Sequence, residues 1–333
     1  MGLRKAKLNK LNKRRSKSKS TPISKSTSTP IPTPTPIPTP IPIPDYELEI
    51  YKEPVRVSNK KMMTSTILPD IVSDHELKLR MKQYSVIIAG CCRDISEYVT
   101  NTLSIFDKIG SQFKNYIVII FENDSKDNTR EKLISHKKDN YYYIFENNVK
   151  IKLRTERIAY CRNRILEKVF ELIDSGLDLD LLLMSDMDDR ISNGNIVNTI
   201  KTVFKYPESI WSVMTANQSD EYYDTWAYRQ KDVLETDCWI DIARDKQNGR
   251  KGSWTRRLTR FSGPRPVNGL IEVMSAFSAF SVYKIKDIDG CRYIGIRHDG
   301  SEVCEHVPFS ECLRKNGHKI YNTVKNTNSV KIS

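Results

Sequence analysis

The strongest constraint on this chain is a repeated alternation of short apolar runs with longer stretches whose apolar residues fall three or four apart. Tyr84-Ser85-Val86-Ile87-Ile88-Ala89 is β-branched, ends in Gly90 and reads as a buried strand. Ile95, Val99, Leu103, Phe106 and Ile109 then recur at helical steps, with Gly110 placed to close the helix in a left-handed cap. Residues 116–121 read as a second buried strand, a helix follows around 129–134, and residues 141–145 read as a third strand. The longest helix is predicted over 155–173, with Ile158, Ile165, Val169 and Leu172 on one face, before Leu181-Leu182-Leu183-Met184. Strands alternating with helices imply an α/β fold, a mostly parallel sheet with helices on both faces. In such sheets a site lies at the carboxyl ends of the strands, here Cys91 to Asp94, Glu122 to Ser125 and Asp186 to Asp189.

Around this core the composition changes sharply. Ten Lys/Arg and no acid occupy residues 1–44, so they account for ten of the net +13, and the remaining residues carry +3. Nine of the fifteen prolines fall between Pro22 and Pro44 in a Thr/Pro/Ile-Pro run that suits an extended polyproline II spacer. The expected organisation is a disordered tail over 1–44, a linker over 45–82 without period, an α/β domain over 83–326 and a short tail over 327–333. Residues 1–25 could meet an anionic membrane surface or nucleic acid, or simply be solvated. No run approaches the ~18 apolar residues of a membrane span. The N-terminus lacks an apolar signal core, and Ala6 stands where a myristoylation start wants Ser or Thr. Seven cysteines, odd in number and without a CxxC, are expected to be mostly buried thiols in a soluble, cytoplasmic protein, with peripheral membrane association through the tail as an option.

Directly after the fourth strand, Asp186 and Asp188 fall on the same side of an extended chain. Two carboxylates aimed into one cleft repel unless a cation lies between them, and Mn²⁺ or Mg²⁺ with its preference for oxygen ligands is the economical partner. The plain alternative is an acidic turn capping a helix near Asn195. Cys304-Glu305-His306 precedes a helix expected over 309–316, stopped by Gly317; His306 is a further candidate metal ligand, or a structural histidine. A zinc cluster of Cys291, His298, Cys304 and His306 has unfavourable spacing. Between Arg244 and Arg265, eight Lys/Arg and three glycines suggest either a lid suited to a diphosphate or a solvated loop.

Taken in order, Gly90-Cys91-Cys92-Arg93-Asp94, the Glu122-to-Thr129 segment, Arg157-Ile158-Ala159-Tyr160-Cys161-Arg162-Asn163 and the DxD resemble nucleotide-sugar glycosyltransferases of the GT-A fold. More narrowly, Tyr223-Asp224-Thr225-Trp226-Ala227-Tyr228-Arg229, the strand expected over 275–283, and Cys304-Glu305-His306 before Lys315-Asn316-Gly317 resemble the fungal capsule-type α-mannosyltransferase family. The resemblance runs over about residues 84–325 and implies a Rossmann-like, GT-A-like domain. It implies that Cys91, Arg93, Glu122, Asp124, Arg157, Arg162 and Asp186 bind the donor, that Asp186, Asp188 and His306 hold the metal, and that Asp224 and Trp226 face the acceptor. Ser275-Ala276-Phe277-Ser278-Ala279-Phe280 lacks the glycines often found in that strand.

The implied activity is metal-dependent transfer of a hexose, with mannose as the candidate sugar, from a nucleoside diphosphate to a hydroxyl of a glycan or glycoprotein. The leaving diphosphate gathers negative charge, which a cation and basic residues stabilise. An inverting enzyme also needs a base for the acceptor, and Glu305 or Glu302 is the candidate. The rival readings are a metal-dependent phosphohydrolase or nucleotidyltransferase, and a nucleic-acid-binding protein acting through its tail. A phosphohydrolase would place its nucleophilic Asp after the first strand, and the tail is basic where the core is not.

Overall fold

The computed structural model describes residues 67, 69–188, 196–218, 224–231, 234–249 and 269–328. The tail, residues 189–195 with Asp189, Tyr223, and most of the basic loop fall outside the described residues. Eight strands form one sheet in the order β3-β2-β1-β4-β7-β5-β8-β6. Strands β1 (Ser85–Cys92), β2 (Asn115–Asn123), β3 (Tyr141–Glu146) and β4 (Leu181–Ser185) run parallel. Beside them β7 (Phe280–Lys284) is antiparallel to β4 and to β5 (Val213–Gln218). Strand β8 (Ile320–Asn328) pairs parallel to β5, and β6 (Leu270–Val273) closes the edge antiparallel to β8.

Two apolar layers explain why the central strands read as continuous hydrophobic runs. Val86, Ile88, Val118, Ile120, Leu181 and Leu183 enter one core cluster, and Ile87, Ala89, Ile119, Phe121, Leu182 and Met184 enter the other. Strand alternation sends successive side chains to opposite faces, so a strand covered on both sides has no polar face. The first layer is covered by α1 (Asp74–Met81), α2 (Ser96–Gly110), α3 (Thr129–Ser135) and α5 (Ile196–Val203). The second is covered by α4 (Arg154–Asp174) and α7 (His306–Lys315), through Ile165, Leu166, Val169, Phe309 and Leu313 among others. Each such side chain taken fully out of water contributes about 1.5–3 kcal/mol. The remaining helix, α6 (Cys238–Gln247), follows the segment that carries Asp224 and Trp226.

Three sequence expectations change. Helix α1 lies within the stretch expected to be a linker; it buries only Leu77 and Met81, too few contacts to leave a visible period. Gly110 ends α2 without a left-handed backbone, and its lack of a side chain matters instead, because a Cβ there would lie 2.3 Å from the Tyr116 ring. Gly317 does adopt φ +85, as its stop position requires. Third, most cysteines are thiols as expected, namely Cys91, Cys92, Cys161, Cys238 and Cys304, but Cys291 and Cys312 form a disulfide that was not expected. The two partners are 21 residues apart and meet only when the segment after β7 packs on α7, a tertiary approach that spacing cannot reveal. That bond also removes Cys291 from any zinc set. Among the described residues, no helix is long and apolar enough to cross a membrane.

Candidate active site

The carboxyl ends of β1, β2 and β4 lie side by side, and the loops after β1 and β2 are braced against each other. The Asp94 N–H donates to Ser125 Oγ at 3.0 Å, and the Lys126 N–H donates back to Asp94 Oδ1 at 2.6 Å. Asp127 receives the N–H groups of Ser96 at 2.9 Å and Thr129 at 3.0 Å. Asp94 and Asp124 both hold left-handed backbones, φ 52 and 53, a conformation short polar side chains tolerate best among non-glycine residues. These braces were not anticipated; an Asp two residues ahead of a helix-opening Thr was the available signal.

After β4 the chain carries Asp186-Met187-Asp188. Met187 is buried in the core and packs so closely on Gly90 that a Cβ there would lie 2.6 Å from Met187 Cγ. Asp186 and Asp188 on either side of Met187 are half-buried. Three bonds fix this turn: the Asp186 N–H to the Ala279 carbonyl at 2.9 Å, Ser185 Oγ to the Asp186 carbonyl at 2.7 Å, and Thr102 Oγ1 to the Met187 carbonyl at 3.2 Å.

At the centre is Arg162, projecting from α4 with its side chain 7% exposed. It pairs with Glu305 Oε1 at 2.9 Å and Asp186 Oδ1 at 3.3 Å. Its guanidinium lies 4.6 Å from the Phe277 ring centre and 5.6 Å from that of Tyr293. Burial opposes its charge, but Glu305 and Asp186 outweigh burial and raise its pKa, so it is a fixed cation. His306 stacks on Phe277 at 3.8 Å, meets Tyr293 edge-on, and contacts Arg162 through both ring nitrogens. Burial, then the Arg162 charge, hold its pKa well below the usual imidazole range, so it is neutral.

Asp224 completes the group. Desolvation first, then the Asp186 and Glu305 carboxylates, push its pKa up to about 7, against the Ser278 N–H that donates to it at 3.4 Å. Ser278 and Ala279 sit at φ 59 and 71, so the segment where glycines are often found does take the left-handed backbone glycine favours, but with side chains in place. The strand expected from residue 275 therefore begins only at Phe280.

Several expected site residues are engaged elsewhere. Glu302, a candidate base, accepts the Thr155 N–H at 3.1 Å and the Thr155 hydroxyl at 2.7 Å, so it caps α4. Glu305, the other candidate base, is buried and committed to Arg162. His306, expected as a metal ligand, instead gives its ring to Arg162, Phe277 and Tyr293. Glu122 is fully buried, receiving Arg130 and the Ser125 N–H at 2.8 Å. Asp124 receives the N–H groups of Asn148 at 2.6 Å and Val149 at 3.1 Å. Arg157 donates to the Ile151 carbonyl at 3.2 Å. Arg93 remains partly exposed beside Asp94 at 3.4 Å, and Cys91 lines the end of β1, its thiol pushed up by burial and by Cys161. Trp226 is half-buried and donates its indole N–H to Asp237 at 2.9 Å. Glu302→Ala is expected to lower stability by about 1–2 kcal/mol through the lost cap, a few degrees in melting temperature, with little change in turnover. A large turnover loss at unchanged melting temperature would return Glu302 to the chemistry.

The charges suit a hard cation only in part. The Arg162 guanidinium pairs with Asp186 and Glu305, and these two carboxylates add to desolvation in raising the Asp224 pKa. Asp186 and Asp188 have the ligand chemistry a divalent ion prefers, but among the described residues no group of three His, Cys, Asp or Glu side chains could hold a metal, and His306 faces the Arg162 cation.

The fold and site together define an α/β protein with a cluster of charged side chains around Arg162 at the carboxyl edge of its sheet. The chain matches no family model and no curated protein sequence. Similar solved structures include a mannosyltransferase from Pyrobaculum calidifontis in complex with GDP-Man and Mn²⁺, at TM-score 0.44 and 9% identity. That match covers 86% of this chain and 63% of the other, so the chain spans less than two thirds of that protein's length. A Mycobacterium tuberculosis glucosyl-3-phosphoglycerate synthase, in complex with Mn²⁺, UDP and glucosyl-3-phosphoglycerate, matches at TM-score 0.42 and 9% identity, over 81% of this chain and 80% of that one. S. aureus TarS 1–349 matches at 0.41 and 9% identity, over 73% and 59%.

Proposed function

We propose that this protein is a GT-A-like glycosyltransferase that moves a hexose from a nucleoside-diphosphate sugar to a glycan or glycoprotein hydroxyl. The observation that carries this reading is the cluster of Asp186, Arg162, Glu305 and Asp224 at the carboxyl edge of β4, on a chain whose motifs follow the GT-A order. Mannose is the candidate sugar, on the capsule-type resemblance alone.

In this mechanism Asp186 and Asp188 would hold Mn²⁺ or Mg²⁺, which would supply Lewis-acid stabilisation of the leaving diphosphate. Arg162 adds a fixed positive charge that needs no reorganisation as the phosphates gain charge. Glu305 and His306 position that guanidinium between them. Cys91 and Arg93 line the donor side; Glu122 and Asp124 shape it by holding its loops. Asp224 takes over the role expected of Glu305 or Glu302: a carboxyl with pKa about 7 can accept the acceptor hydroxyl's proton at neutral pH.

The Asp224 shift has a stability consequence with a definite sign. An unfolded Asp releases its proton near pH ~3.9, whereas the folded protein keeps it up to about pH 7. The native state therefore binds more protons in this window, and stability falls as pH rises through it. Asp224→Asn is expected to melt above the wild type at pH 8 and close to it at pH 4. A difference that does not change with pH would contradict the assignment.

The function is tested by incubating the full chain with UDP- and GDP-hexoses in Mn²⁺ and measuring released nucleoside diphosphate. Release from one donor class, abolished by EDTA, is expected; no release from any donor would contradict the reading.

A further inference from the structure

We propose that Trp239 and Trp226 form the subsite that holds a sugar ring of the acceptor glycan, an inference that rests on the glycosyltransferase reading. Trp239, on the first turn of α6, is 57% exposed, an unusual position for an indole that has a core within reach. It meets Trp226 at a right angle, ring centres 6.5 Å apart and planes at 85°. Such an edge-to-face pair is an attractive arrangement in its own right. Trp239 stays more than half in solvent while Trp226 holds it at a fixed angle.

The corner is fixed by one buried carboxylate. Asp237, 5% exposed, accepts the Trp226 indole N–H at 2.9 Å and the Trp239 backbone N–H at 2.9 Å. It also pairs with Arg297 at 3.0 Å and Arg229 at 3.4 Å. Arg229 in turn donates to the carbonyls of Trp226 at 2.9 Å and Tyr228 at 2.7 Å. A rigid aromatic surface loses little entropy on binding, the economy expected of a preformed recognition element.

Position selects the occupant. Trp226 lies in the turn closed by the Ala227 N–H to the Asp224 carbonyl at 3.1 Å, so the corner begins two residues from the proposed proton acceptor. Pyranose rings present an apolar C–H face beside a rim of hydroxyls, matching an exposed indole in a corner that Arg297, its side chain 29% exposed, borders through its pair with Asp237. A protein partner docking on Trp239 would not need that border or that nearness to Asp224.

Titration of the full chain with mannobiose, cellobiose and lactose, followed by tryptophan fluorescence, tests the subsite without requiring turnover. At least one disaccharide is expected to give a saturable change. Trp239→Ala should weaken that binding at least about tenfold, and Trp239→Phe should recover part of it. No saturable change with any of the three, or equal affinity in Trp239→Ala, would overturn the proposal. Release of nucleoside diphosphate by the wild type, measured on the same preparation, separates a failure of this subsite from a failure of the glycosyltransferase reading. A Trp239→Ala protein that binds sugars normally but has changed its self-association would assign the corner to a protein contact and also overturn it.

Discussion

Arg162→Ala is expected to cost about 3–5 kcal/mol, because it leaves Glu305 and Asp186 facing each other with their shared cation gone. Glu305 has a side chain only 6% exposed, so water cannot replace the guanidinium at 2.9 Å. For a domain of this size the loss corresponds to a fall of about 10 °C in melting temperature. Turnover should fall by at least about 10²-fold, since a fixed donor aimed at the developing phosphate charge is removed. Adding Glu305→Gln to Arg162→Ala should restore much of the stability, because the uncompensated buried charge is then absent, but none of the turnover. A melting temperature within about 2 °C of the wild type for the single variant would show that the guanidinium is not the hub of the cluster.

Asp188→Ala should separate activity from stability in the opposite way. Asp188 is only half-buried after the end of β4, so its loss is expected to leave the melting temperature nearly level. Metal-dependent turnover should drop by about 10³-fold, equivalent to several kcal/mol of lost charge stabilisation. EDTA applied to the wild type should reproduce that loss, and a variant that keeps wild-type turnover in EDTA would remove the metal from the mechanism.

Much of the layered fold was legible because its signals are local. The runs at Val86, Val118 and Leu181 are buried on both faces and so appear as unbroken apolar stretches, and the Ile165-Val169-Leu172 stripe follows from one covered helix face. The burial of Met187 in the same layer as Leu181 and Leu183 follows from the same period of two. What could not be read depends on distant partners. Glu302 and Glu305 look alike in sequence, yet one caps α4 through Thr155 and the other neutralises Arg162. His306 offers a ligand by type, but its surroundings, with Phe277, Tyr293 and Arg162 drawn from three other segments, decide what its ring does. Likewise the Asp224 shift arises from carboxylates 38 and 81 positions away in the chain.

The most direct test of the central claim is the melting temperature of the full chain with UDP, GDP, ADP and CDP at about 100 times the dissociation constant, with Mn²⁺ and with EDTA. Binding at that excess adds about 2.7 kcal/mol to the folded state, a rise of several degrees. One nucleoside diphosphate is expected to give that rise in Mn²⁺, to lose it in EDTA, and to lose it again in Asp188→Ala. Equal shifts in Mn²⁺ and EDTA, or no shift with any of the four, would contradict a nucleotide-sugar site built on Asp186 and Asp188.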